Sequence, residues 1–168
     1  MAAGNTYTPL ATQTLSSAAA TVTFSSISNA YTDLVLVYSA ICSSGGFDVY
    51  LRFNGDTSAN YSLTTVWGNG STTGSFGYSN QTGAMIDYYG ALGDNGIFNV
   101  ETINIMNYAN TTTNKSFLAR ASKGSSGVDL VAGLWRNTAA INSITFYEPG
   151  ARLFGIGSTF TLYGIAAA

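Results

Sequence analysis

The chain has 168 residues and a mass of 17.5 kDa, enough for one domain with a sizeable core and short for two. Charged residues make up 8% of it, against about 25% in an ordinary soluble domain, yet its 46% hydrophobic and 13% aromatic content excludes a disordered chain. Histidine is absent and Cys42 is the single cysteine, which excludes Ser-His-Asp and Cys-His nucleophiles in their usual forms, His-ligated metals, histidine pH switching and intrachain disulfides.

In chain order, Met1 to Ala20 has no basic segment, and Ser, Thr and Gln interrupt its apolar stretches. Residues 1–20 read as an extended N-terminal arm, not a signal peptide, ahead of one domain over residues 21–168. Thr21 to Phe24 alternates as a short strand. Asp33 to Cys42 is apolar on both parities, the pattern of a central strand covered on both faces, with Cys42 a small buried hydrophobe. Phe47 to Phe53 alternates cleanly, with Phe47, Val49, Leu51 and Phe53 inward and Asp48, Tyr50 and Arg52 outward. Asn54-Gly55-Asp56 closes that strand with a turn, because Asn and Gly tolerate positive φ.

Asn60 to Trp67 continues extended. Residues 68–96 then change character, rich in Gly, Ser, Thr, Asn and Tyr, and predict a long projecting loop or hairpin, or a segment ordered by a neighbouring chain. Ile97 to Tyr108 resumes strand character, with a parity switch between Val100 and Ile103 that predicts a bulge. Lys115 to Lys123, Val128 to Arg136, Ala140 to Glu148 and Ser158 to Ile165 complete the series. Eight to ten short strands and no helix predict an all-β fold. The expected architecture is a two-sheet antiparallel β-sandwich of jelly-roll type. No apolar run approaches 18 residues, so no membrane partner is expected.

The carboxylates are Asp33, Asp48, Asp56, Asp87, Asp94, Glu101, Asp129 and Glu148. A glycosidase needs two of them facing across a bond, but most read as strand starts or turns, where Asp serves the backbone. No catalytic residue is assigned, and the chain is expected not to be an enzyme. Asn54-Gly55-Asp56 with Asp48 offers calcium oxygen ligands without an EF-type spacing, so a plain turn is favoured and no metal or cofactor is expected. Gly68-Asn69-Gly70 and Gly155-Ile156-Gly157 lack the following helix and Lys-Ser/Thr of a phosphate cradle. The basic residues Arg52, Lys115, Arg120, Lys123, Arg136 and Arg152 are scattered in a chain of net charge −2, which argues against nucleic acid as a partner. Asn-X-Ser/Thr triplets at Asn60, Asn69, Asn80, Asn110 and Asn114 follow from the abundance of Ser and Thr, and no glycosylation is read from them. The aromatic residues Trp67, Phe76, Tyr78, Tyr88 and Tyr89, set among Ser, Gly and Asn, have the composition of a contact surface. They suit packing on a protein neighbour, stacking on a sugar, or covering the end of the sandwich.

Several stretches in order carry a resemblance: Thr32-Asp33-Leu34-Val35-Leu36, Leu51-Arg52-Phe53-Asn54-Gly55-Asp56-Thr57, Asn60-Tyr61-Ser62, Gly68-Asn69-Gly70-Ser71, Gly133-Leu134-Trp135, Thr138 to Ile144, and the ending Gly157 to Ile165. The chain from Thr21 onward resembles small virion structural proteins of tailed phages, cyanophages among them. That resemblance implies a β-sandwich, commonly trimeric, attached to the outer surface of the capsid as a cement or decoration protein, or carried on a tail appendage. Its implied partners are the major capsid protein or other virion proteins. It offers no catalytic motif. The expected function is therefore non-enzymatic stabilisation of the head by binding between capsid subunits; the alternative is a tail fibre or receptor-binding module recognising a host surface glycan.

Overall fold

Runs of β-branched and aromatic residues, punctuated by Gly, Asn and Ser, form twelve strands and no helix among the described residues. The structure is a computed structural model and describes residues 6–88, 92–93, 96–123, 127–150 and 152–166, the side chain of Lys123 excepted. The strands are β1 (Tyr7–Thr14), β2 (Thr21–Phe24), β3 (Asp33–Ala40), β4 (Tyr50–Phe53), β5 (Tyr61–Gly68), β6 (Thr73–Gln81), β7 (Ala84–Met85), β8 (Asn99–Ile105), β9 (Lys115–Lys123), β10 (Gly127–Trp135), β11 (Ile144–Tyr147) and β12 (Thr159–Ile165). Their pairings are antiparallel throughout. Eight strands form one sheet in the order β1-β12-β3-β8-β9-β10-β5-β6, and four form a second in the order β2-β11-β4-β7. The fold is an all-β sandwich.

The core lies between the sheets. From the small sheet come Val22, Phe24, Leu51, Phe53, Ile144 and Phe146; from the large one come Leu34, Leu36, Ile103, Phe117, Val131, Trp135 and Phe160, all buried. Phe47, Val49, Leu51 and Phe53 are all buried, as their alternation required, although only Tyr50–Phe53 is regular strand. Asn54 (φ +53°) and Gly55 (φ +66°) form the expected turn, closed by Asp56 N–H donating to the Phe53 carbonyl at 2.9 Å. Asn54 is also a tether: its Nδ2 donates to the Ala140 carbonyl, and its Oδ1 accepts from the amides of Asn142 and Ser143. Both oxygens of Asp56 are engaged by Ser58, Asn60 and Trp135, as suits the turn reading. Cys42 is buried.

Several local expectations take a different form. Within the stretch read as an arm, Tyr7–Thr14 is an edge strand of the large sheet, paired with β12 through a register shift between Pro9 and Ala11. A proline at an irregular edge is a usual way to discourage further strand addition. The bulge expected between Val100 and Ile103 is absent: β8 pairs in continuous register with both neighbours. Its inward positions are Asn99, Glu101, Ile103 and Ile105, so two buried polar residues imitated a change of parity. The outer side of β3 carries no second layer of strands, since the small sheet packs on the other face, yet Val35 on that side is buried and Val37 half-buried, so the expected cover on both faces holds in part. The described part of residues 68–96 consists largely of the turn and second strand of the β5–β6 hairpin, the turn closed by Asn69 N–H donating to the Thr72 carbonyl and capped by the Asn69 side chain, followed by β7.

Candidate functional site

The large sheet has twice as many strands as the small one, and its β5–β6 end carries the expected aromatic group. Antiparallel register places Trp67 opposite Gly74, Thr65 opposite Phe76 and Leu63 opposite Tyr78, so alternate residues of both strands share the inner face. Tyr88 arrives from the segment after β7 and meets Phe76 edge-on at 4.8 Å between ring centroids, with Trp67 6.2 Å away; Phe76 in turn touches Tyr78 at 5.3 Å. Four of the five expected contact residues are thus brought together. The fifth, Tyr89, lies outside the described residues. Tyr78 and Tyr88 remain about half exposed, so the group both caps the sandwich and presents rings to the outside.

Beside these rings is a cleft of about 160 Å³ lined by Asp48, Tyr50, Tyr78, Gln81, Met85 and Tyr88. Burial, with the nearby Asp48 charge adding to it, pushes the Tyr50 hydroxyl up to about 12, so it stays a neutral donor. The cleft is smaller than the roughly 300–1,000 Å³ of small-molecule pockets. It can accept one side chain or one face of a ring.

Buried carboxylates hold this group in place. Asp129 Oδ2 accepts the Tyr88 amide at 2.5 Å, and Asp87 Oδ1 accepts the Val49 amide at 2.6 Å, which pins segment 86–88 between the sheets. Tyr38 donates its hydroxyl to Glu101 Oε2, with Asp87 Oδ2 3.4 Å away. Tyr38, Glu101 and Asp129 share one register row of the inner face, with Ala121 between the last two. Burial drives the Asp87 and Glu101 carboxyls well above the usual range; the nearby Asp48 and Asp129 charges add to it at Asp87, and the Asp87 and Asp129 charges add to it at Glu101. Burial likewise raises Tyr38 well above its ordinary value, so its hydroxyl keeps its proton.

The sequence reading placed most carboxylates at turns; Glu101 and Asp129 are instead mid-strand and inward, and Asp87 is enclosed. The signal was present, because in β8 and β10 both acids fall on the inward parity. Asp87 and Glu101 do meet at the Tyr38 hydroxyl, but they are 0% and 1% exposed, so a polysaccharide cannot reach them. No cluster of three or more metal-ligating acids or cysteines forms among the described residues.

A second surface escaped the sequence reading. On the outer face of the large sheet, Val66, Val100, Leu118, Val128, Leu130 and Leu134 are all exposed, Val128 at 58% and Val66 at 54%. Register brings Val66, Leu130, Arg120 and Thr102 into one row and Val128, Ser122 and Val100 into the next. There the sheet forms a depression of about 750 Å³. The sequence signal was β10 itself: Val128, Leu130, Ala132 and Leu134 are apolar on the parity opposite to Val131 and Trp135.

No family model matches the chain, and no curated protein matches it. Among solved structures it is similar to the alginate lyase Aly36B at 10% identity and a TM-score of 0.37, over 92% of this chain and 77% of that one. It is also similar to a protein of unknown function from Shewanella oneidensis MR-1 at 10% identity and a TM-score of 0.27, over 100% of this chain and 82% of that one. Likenesses this distant carry no argument about activity.

Proposed function

We propose that this chain is a non-enzymatic structural protein of a tailed-phage virion, a capsid cement or decoration protein that binds between capsid subunits and stabilises the head. The observation that supports this reading is the outer face of the large sheet, whose exposed aliphatic residues stand among Ser and Thr with almost no charge. Such a surface loses little on leaving water, because neutral hydroxyls and aliphatic carbons escape the desolvation penalty of ions. A cement protein acts by adding binding free energy to the assembled shell alone, and repeated sites on a symmetric shell multiply the effect. The partners in this reading are the major capsid protein and further copies of the chain in a homotrimer.

A second reading is a tail fibre or receptor-binding module. It draws on the half-exposed Tyr78 and Tyr88 rings beside Asp48 and Gln81, since aromatic faces flanked by polar groups suit a host glycan.

Locating the chain on purified phage particles by electron microscopy separates the two. Hundreds of copies on the shell are expected for cement, and a few tens at the tail would favour the fibre. A stable monomer with no affinity for any particle would sink both.

A further inference from the structure

Arg120 stands in the depression of the outer sheet face, beside Thr102 and Leu130 in register and lined also by Val66, Val100 and Val128. Its side chain is exposed and makes no hydrogen bond, ion pair or ring contact among the described residues. The other cations whose side chains are described are engaged. Arg52 donates to the Thr82 carbonyl and lies 4.0 Å over the Tyr147 ring. Lys115 donates to the Thr113 and Thr138 carbonyls. Arg136 reaches Ser62, Ala59 and Asn80, and Arg152 the Gly46 carbonyl. At the margin of the face, Asp33 accepts the Asn107 amide. A solitary guanidinium among aliphatic side chains would lose its hydration when covered, a loss that only an incoming acceptor can offset.

We propose that the outer face of the large sheet docks a flat segment of a different protein that presents one carboxylate, flanked by aliphatic side chains, to Arg120. This rests on the reading of that face as the docking surface given above. Eight strands at about 4.8 Å spacing and seven residues at about 3.3 Å rise make a face on the order of 900 Å². That is close to the roughly 800 Å² per partner of a stable protein interface. A free fatty acid would fill only the depression, whereas the aliphatic surface continues past it to Leu118 and Leu134. Nor does a second copy fit: Asp87, Glu101 and Asp129 are buried, and Asp33, Asp48, Asp56 and Glu148 are half-buried, so no described carboxylate stands out to meet Arg120. The guanidinium fork pairs with a carboxylate through two parallel hydrogen bonds, and this fixes the register of the docked segment.

The test is selection from a displayed library of random 12-residue peptides against the full chain, in parallel with Arg120→Glu and Arg120→Gln. The expected binders carry Asp or Glu flanked by Val, Ile or Leu. They weaken about tenfold or more against Arg120→Glu, whose own selection shifts to Lys and Arg at the same position. Arg120→Gln, with an unchanged urea midpoint, controls for folding. Binders lacking acid enrichment, binders indifferent to Arg120→Glu, or no binders at all would overturn the proposal. So would self-association in the ultracentrifuge that Arg120→Glu abolishes. Selection needs no particle, so an Arg120-dependent acid consensus with no chain on virions would fail the virion reading alone. Particles loaded equally by native chain and Arg120→Glu would fail this inference alone.

Discussion

At the scale of single residues, two kinds of carboxylate do opposite things to stability. Burial tends to raise Asp56, but hydrogen bonds from Asn60, Trp135 and Ser58 outweigh it and hold the group at about 2. Its contribution is present above its unfolded value near 4 and is lost as pH falls toward 2. Glu101 and Asp87 are displaced upward by burial, so the folded chain holds their protons more tightly than the unfolded one. Their contribution is complete below an unfolded value of about 4 and declines as pH rises through the raised folded values. Glu101→Gln keeps the shape and removes the charge. Its urea midpoint is therefore expected to match the native chain near pH 4 and to exceed it near pH 7.5. An equal loss at both pH values would show that hydrogen-bond geometry, not ionisation, governs this position.

Individual elements are held by close approaches that only certain residues permit. Gly133 on β10 lies opposite Phe117 on β9, and a Cβ there would sit 1.9 Å from the Phe117 ring. The ring fills the space a side chain would need, covering the strand from within the core. Gly133→Ala is expected to cost about 1–3 kcal/mol by overpacking, read as a lower urea midpoint. Phe117→Leu in the same chain should recover part of the loss; an unchanged midpoint for Gly133→Ala would contradict the packing described. Strand β9 also opens on Lys115, which is buried with its ammonium on the Thr113 and Thr138 carbonyls; desolvation lowers its affinity for protons. These strands were legible from alternation. The inward Glu101 and Asp129 were marked only by their parity within β8 and β10, a signal that is easily overridden because alternation is read from where apolar residues go, not from a polar residue in the core.

The whole molecule exposes 7959 Å² and carries fourteen charged residues, several of them buried. The unequal division into eight and four strands leaves one broad face without a covering layer, and that face holds much of the exposed aliphatic surface. Replacing Val66 and Leu130 together by Ser is expected to change unfolding free energy by less than about 1 kcal/mol, since both are about half exposed. The same pair of changes should raise solubility in ammonium sulfate and reduce loading on phage particles. A large loss of stability would mean that these side chains belong to the core.

Composition and alternation by themselves determined that this chain is all-β, that Phe47, Val49, Leu51 and Phe53 face inward, and that Asn54-Gly55 turns. Each of these depends on side-chain period or on φ preferences that act within a few residues. They also assembled the list from which Trp67, Phe76, Tyr78 and Tyr88 are drawn. Only the tertiary structure decided which strands pair across the chain, and with that which parity is covered. Tyr38, Glu101 and Asp129 became one buried row, and Arg120 was placed alone among Val66, Val128 and Leu130, because strand register joins residues far apart along the chain. The scarcity of charge is a property of the sequence. Its concentration into one nearly uncharged face follows from the fold, because strand pairing sets the lining and the smaller sheet covers only one side.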